Sequence, residues 1–157
     1  MTDRELLEVL AEQEHRLRFA SFTNDDAIAL GLLLLDTARA ARAAVAIHVR
    51  RHGQVLFHAA LEGTSPDNDE WIRRKVKVVD RFGHSSFYVG TLCRAEDRPI
   101  EDMFLVDGRE FAAHGGAFPV IVDHVGMVGS VTVSGLPQEE DHRMVVGAIE
   151  RYLEQRP

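Results

Sequence analysis

Hydrophobic residues recur along this chain with two periods, one of about 3.6 residues and one of about two. From Asp3 to His15, the residues Leu6, Leu7, Val9 and Leu10 fall at helical spacing. Asp3 is placed to cap the first turn, and Glu5 lies near its positive end. Leu17 to Phe22 reads as a strand. Asn24 then caps a second helix through IALGLLLLDTARAARA, whose apolar breadth predicts burial on most sides. Alternation at Val45, Ile47 and Val49, and again at Val55, Phe57, Ala59 and Leu61, predicts two strands. A two-residue turn at His52-Gly53 would pair Ile47 with His58 and mix the faces. A three-residue loop, Arg51-His52-Gly53, pairs Ile47 with Phe57 and Val49 with Val55, and is the expected hairpin.

In the second half, Ser65-Pro66 followed by Asp67, Asp69 and Glu70 reads as a helix start. The cations Arg73, Arg74, Lys75, Lys77 and Arg81 come later, as the helix dipole favours. His84 to Cys93 predicts a further helical segment. Arg94 to Asp102, polar and interrupted by Pro99, reads as a surface connection. Strands Ala117 to Val122 and Met127 to Ser134 are joined by the turn Asp123-His124-Val125-Gly126. A terminal helix opens at Pro137 and carries the stripe Val145, Ile149, Tyr152 and Leu153. No internal repeat or Pro/Gly-rich linker divides the chain, so one α+β domain over residues 1–157 is expected.

Composition narrows the partners. The 157 residues are 45% hydrophobic and 27% charged, with a formal net charge of −7. Such a field repels phosphate backbones, so no nucleic acid is expected. The single cysteine, Cys93, rules out an internal disulfide or a Cys-rich zinc site and suits a reducing compartment. The longest apolar run, Ala27 to Leu35, has nine residues, short of the roughly 20 that span a bilayer. The opening MTDRELLEVL lacks the basic start and apolar core of a signal peptide. The expectation is a cytoplasmic protein with no membrane partner.

The segment HGGAFPVIVDHVGMVGSVTVSGLPQEEDHRMVVGAIERYL resembles the C-terminal signature of the haem-degrading-domain (GlcG/HbpS-like) group. In that group a Gly-Gly-x-x-Pro turn, a glycine-bearing strand and an SG-x-x-x-x-x-D helix start recur. The stretch DNDEWIRRKVKVVDRFGHSS resembles more narrowly an uncharacterised branch of the group. The resemblance implies a profilin-like α-β-α sandwich around a mainly antiparallel five-stranded sheet, assembled into a homo-oligomer. It also implies links to haem, corrinoid or small organic acid metabolism, with no settled activity for this branch.

Candidate chemistry gathers around the paired glycines. Gly115-Gly116, followed by Phe118-Pro119, either lets backbone N–H groups approach a ligand or makes a tight turn into a strand. His114 adds a titratable donor. Among the helix cations Lys75 lies nearest Trp71 and Val79, and so points into a cleft. Asp141 is either a first-turn charge or a hydrogen-bond partner of the glycine loop. The expected ligand-binding set is Lys75, His114, Gly115, Gly116, Phe118, Pro119 and Asp141. Its ligand is a small organic anion, or haem or another tetrapyrrole.

No serine lies in a GxSxG elbow, and the eight histidines show no HExxH or CxxCH spacing, so neither a catalytic set nor a metal site is assigned. His48 and His58 are expected as diagonal neighbours on the outer strand face, roughly 7–8 Å apart at Cα. A ligand-binding or accessory protein is therefore favoured over a small enzyme acting on such a ligand, or an interaction protein working through its oligomer. The outer strand face carrying Ala46, Leu56 and Ala60 looks too apolar for full solvation, which also suggests a homo-oligomer.

Overall fold

Thr2, one residue before the expected Asp3, caps the first helix. Its hydroxyl accepts from the Glu5 N–H at 3.1 Å while the Glu5 carboxylate accepts from the Thr2 N–H at 2.7 Å. Thr23 and Asp26 build the same box ahead of the second helix, so the cap is Thr23 where Asn24 was expected. The computed structural model describes residues 1–156. In chain order the elements are α1 (Asp3–Arg16), α2 (Asn24–Ala40), β1 (Ala46–Arg51), β2 (Gln54–Ala60) and α3 (Pro66–Phe82). There follow α4 (Ser86–Ala95), α5 (Ile100–Phe104), β3 (Ala117–Val122), β4 (Gly126–Ser134) and α6 (Gln138–Gln155).

The fold is α+β around one antiparallel sheet of four strands in the order β2-β1-β4-β3, where five were expected. The missing strand is Leu17 to Phe22. Phe19 alone bridges Val122, in parallel, with its N–H donating to the Ile121 carbonyl and its own carbonyl accepting from Asp123, both at 2.8 Å. Burial of Leu17, Phe19 and Phe22 holds this segment in place of a hydrogen-bonded ladder. At about 1.5–3 kcal/mol for each large apolar side chain buried, those contacts outweigh the few bonds a short edge strand would add.

The hairpin also departs from expectation. The turn is the two-residue His52-Gly53, with both residues at positive φ (51° and 78°), as a primed turn requires. A bulge between Val49 and Arg50 then restores the faces: Ile47 pairs with Ala59, Val49 with Phe57 and Arg50 with Val55, so Leu56 is the extra residue. Leu56 and Phe57 both pack against the main core.

That core lies between the sheet and α2 with α6. Ile47, Val49, Phe118, Val120, Val131 and Val133 meet Leu30, Leu34, Val145 and Ile149 there. On the opposite face α3 covers Ala46 with Ile72 and Val76. The apolar outer face invoked for oligomerisation is thus largely covered within the chain, Ala46 by α3 and Leu56 by the core. Arg94 to Asp102 is not wholly a surface connection either, since Ile100 opens α5 and is buried with Val78, Val89, Cys93 and Val106 in a second cluster. Among the described residues no helix is long and apolar enough to cross a membrane.

Candidate functional site

One stripe of α3 builds the site. Trp71, Arg74, Lys75 and Val78 recur at helical spacing, and the segment 111–116 runs alongside them, fastened by the Ala112 N–H donating to the Arg74 carbonyl at 3.1 Å. Two cavities open at this seam. The larger, about 470 Å³, is walled by Trp71 and Phe111, by the cations Arg74, Arg94 and Arg98, and by the acids Asp97 and Glu101. The smaller, about 220 Å³, reaches Lys75, Ser134, Gly135 and Asp141. Trp71, His114 and Gln138 line both, so the two adjoin as one cleft with a side recess.

At the foot of the recess, Lys75 and Asp141 form an ion pair of 3.1 Å with both side chains all but inaccessible. Lys75 also donates to the Val133 carbonyl (3.3 Å), and Asp141 accepts from the N–H groups of Leu136 (2.9 Å) and Gly135 (3.3 Å). Burial lowers the ammonium and raises the carboxyl from their ordinary values, and the attraction between the charges opposes both shifts. The pair ties α3, β4 and α6 together, and the Lys75 charge is committed to Asp141 rather than free for a ligand.

The two glycines serve packing. A Cβ at Gly116, whose φ is +138°, would lie 2.4 Å from the Val133 carbonyl oxygen and 2.7 Å from Lys75 Nζ. A Cβ at Gly115 would lie 2.3 Å from the Gln138 carbonyl oxygen. The Gly115 N–H is already taken, donating to Gln138 Oε1 at 3.0 Å. The glycine pair brings β3 and the start of α6 against α3, and so shapes the recess without presenting that N–H to a ligand. Phe118 and Pro119 belong elsewhere. Phe118 is buried in the α6-side core, Pro119 pairs with Ser130 inside the sheet, and neither lines the cleft. The structure therefore gathers Lys75, His114, Gly115, Gly116 and Asp141, and separates Phe118 and Pro119 from them.

Of the residues best placed to meet a ligand, His114 belongs to the expected set, whereas Trp71 and Arg74 do not. The Arg74 guanidinium stacks 4.3 Å from the Trp71 ring centre and, among the described residues, has no carboxylate partner. Its neighbours on α3 are engaged, Arg73 with Glu70 and Glu110, and Lys77 with Glu110. His114 sits at the rim, its ring edge-on to Trp71 at 5.3 Å. Partial burial, and then the charges of Lys75, Arg74 and Arg94, hold its imidazole below the ordinary value, which favours the uncharged ring. Cys93 lines the larger cavity but is nearly inaccessible, and burial pushes its thiol up, away from the reactive thiolate.

Residues 22–150 match the family described as haem degrading protein HbpS-like. The chain belongs to the HbpS-like family. Its relatives include a UPF0303 protein of Streptomyces coelicolor, 58% identical over 144 residues that cover 92% of this chain and 91% of that one. A UPF0303 protein of Psychromonas ingrahamii is 45% identical over 149 residues, covering 95% and 94%. Among solved structures, the Ybr137w protein is 38% identical and superposes with a TM-score of 0.88 over 95% of this chain and 88% of that one. A PduOC:Heme complex, at 15% identity, shares the fold with a TM-score of 0.69 over 83% and 94%.

Proposed function

We propose that this HbpS-like chain is a non-enzymatic binding or accessory protein that holds a small organic anion, flat enough to lie along Trp71, in the cleft between α3 and residues 111–114. The observation carrying this reading is Arg74, a guanidinium stacked on Trp71 at the mouth of a 470 Å³ cavity with no carboxylate partner among the described residues. A guanidinium presents paired donors that match a carboxylate, and an aromatic neighbour adds a stacking surface. His114 supplies a further donor or acceptor, while Lys75, the glycines and Asp141 hold the recess in shape. The test is calorimetric titration with a panel of small aromatic and aliphatic carboxylates. Binding that falls at least about tenfold in Arg74→Met, the loss of one charge-assisted hydrogen-bonded contact, supports the reading. Equal binding by wild type and Arg74→Met refutes it.

A tetrapyrrole is the second reading, favoured by His114, an exposed histidine lining both cavities beside Trp71, whose surroundings hold its imidazole below the ordinary value, toward the uncharged form an axial ligand needs. The haem complex formed by one structural relative, the PduOC protein, also supports it. Haem titration of wild type and His114→Ala separates the two readings, since an axial role predicts a Soret shift that the variant lacks. We also take the chain to act in the cytoplasm as one domain and as a homo-oligomer, supported by exposed Ile28 and Leu32 on α2 and Val55 on the edge strand β2. A monomeric mass by light scattering would remove the oligomer.

A further inference from the structure

A second constellation lies on the same sheet face, away from the cleft, where β1 and β2 emerge from under α3. Because of the bulge, His48 and His58 are directly opposite each other rather than diagonal. Their Nδ1 atoms approach to 3.0 Å, with ring centres 5.2 Å apart. On its other side, His58 Nε2 meets Asp69 Oδ1 of α3 at 3.2 Å. The pair faces an open groove of about 420 Å³, lined also by Arg50, Val55, Ile72 and Asp80.

We propose that His48 and His58 form a two-histidine chelate for a borderline divalent metal ion (zinc, nickel or copper), with Asp69 orienting His58. Imidazole nitrogens favour these metals over magnesium or calcium. Two nitrogens bound to a tetrahedral zinc at 2.0–2.1 Å lie about 3.3 Å apart, so the observed pair needs to open by only a few tenths of an ångström. Metal-bound histidines characteristically direct the other ring nitrogen to a carboxylate, which fixes the tautomer that leaves the ligating lone pair free. His58 has that arrangement, with Nε2 toward Asp69 and Nδ1 toward His48. The metal takes the place of the proton that a hydrogen bond between the two Nδ1 atoms requires, and that proton moves to Nε2 of His48, so both rings stay neutral.

Nearby cations do not forbid it. Arg50 is paired with Asp80, Arg73 with Glu70 and Glu110, and Lys77 with Glu110; Arg50 still opposes positive charge at His48, while Asp69 favours it. No group of three or more His, Cys, Asp or Glu side chains converges among the described residues. The protein thus supplies two ligands and solvent fills the remaining positions, which gives an exchangeable site that staples the edge strand β2 to β1.

Calorimetric titration of the untagged full chain with zinc chloride and with nickel chloride tests the proposal. One metal per chain is expected. Affinity should fall at least about tenfold in His48→Gln and in His58→Gln and about tenfold in Asp69→Asn, the scale of losing a ligand or its orienting partner. His124→Gln, at an exposed turn in another part of the chain, should bind as wild type does. Imidazole nitrogen NMR shifts of the wild type during zinc titration give a readout that needs no variant, and they should move at the Nδ1 atoms of His48 and His58. The proposal is overturned if the wild type takes up neither metal, if the double glutamine variant binds as well as wild type, or if the shifting resonances belong to other histidines.

Discussion

Replacing Gly116 by alanine should cost this protein far more than the same change at Gly83, although both glycines hold positive φ. Gly83 ends α3 at φ +69° with open space around it, so an added Cβ there meets nothing within 4 Å. The substitution pays the left-handed penalty of about 1–2 kcal/mol, less about 0.4–1 kcal/mol recovered from a stiffer unfolded chain. At Gly116 the φ of +138° carries a comparable or larger strain, about 1–3 kcal/mol, and the Cβ would also sit 2.4 Å from the Val133 carbonyl oxygen. Backbone must then move, which costs about 1–3 kcal/mol as overpacking and disturbs the same carbonyl that accepts from Lys75. The expected excess over Gly83→Ala is therefore about 1–4 kcal/mol, most of it from the overpacking. For a chain of this length, about 2–4 °C of melting temperature accompanies each kcal/mol. Scanning calorimetry of the two variants side by side reads the difference directly. A Gly116→Ala protein that melts no lower than Gly83→Ala would show that the close approach of β3 to β4 and α3 is relaxed at no cost, and the packing account of the glycine pair would fall.

Three further outcomes follow from ionisable groups. Lys75→Met should lose about 3–5 kcal/mol by urea denaturation because it strands the Asp141 carboxylate, and Lys75→Met with Asp141→Leu should recover part of that loss. Burial holds the His142 imidazole near 4 against an ordinary 6.5, so the unfolded chain takes up the proton first. Stability is full above 6.5 and falls by up to about 3 kcal/mol as pH drops toward 4, a slope that His142→Asn should flatten. His84 runs the other way. Its hydrogen bond to Glu14 raises it above 6.5, its contribution is complete below that pH and is lost as pH rises through the folded value, and Glu14→Gln should abolish that branch of a stability-versus-pH curve.

The elements were legible where the information is local. Period and capping residues place α1, α3, α6 and all four strands within a residue or two, α2 is overrun by three residues at its C-terminal end, and the capping errors at Thr2 and Thr23 arise because adjacent Thr, Asn and Asp are near-equivalent caps. What depends on distant partners was not legible. Leu17 to Phe22 has strand composition, but its side chains go to the core and its backbone finds one bridging residue. The bulge at Leu56 is invisible to an alternation count, and missing it sent His48 and His58 to diagonal positions. The motif from Gly115 to Pro119 reads as one unit in sequence, yet strand alternation sends Phe118 to the α6 side and leaves the glycines by α3. Strand parity with Val120 and Val122 was the available signal. Among the helix cations the sequence put Lys75 nearest Trp71, and that Arg74 instead stacks on Trp71 opposite residues 111–114 emerges only through the fold.

The positive charges of α3 illustrate how a run that looks uniform in sequence is sorted by structure. Arg73 and Lys77 share Glu110 at the surface, Arg81 lies over Phe82 and Phe111, and Lys75, one residue along from Arg74, is buried against Asp141. At about 100° of rotation per residue, neighbours on a helix face different surroundings, so position on the circumference decides whether a cation is solvated, paired in the interior or left facing a cavity. Arg74 is the member that faces the cavity, at the angle Trp71 occupies one turn earlier. Moving the charge from Arg74 to Val78, on the same stripe one turn later, would keep the net charge and the helix composition unchanged. It would bury a cation in the second core cluster, where Val78 is inaccessible and no acid among that cluster's residues receives it. The binding reading therefore rests on the register of one helix against residues 111–114 rather than on how basic that helix is.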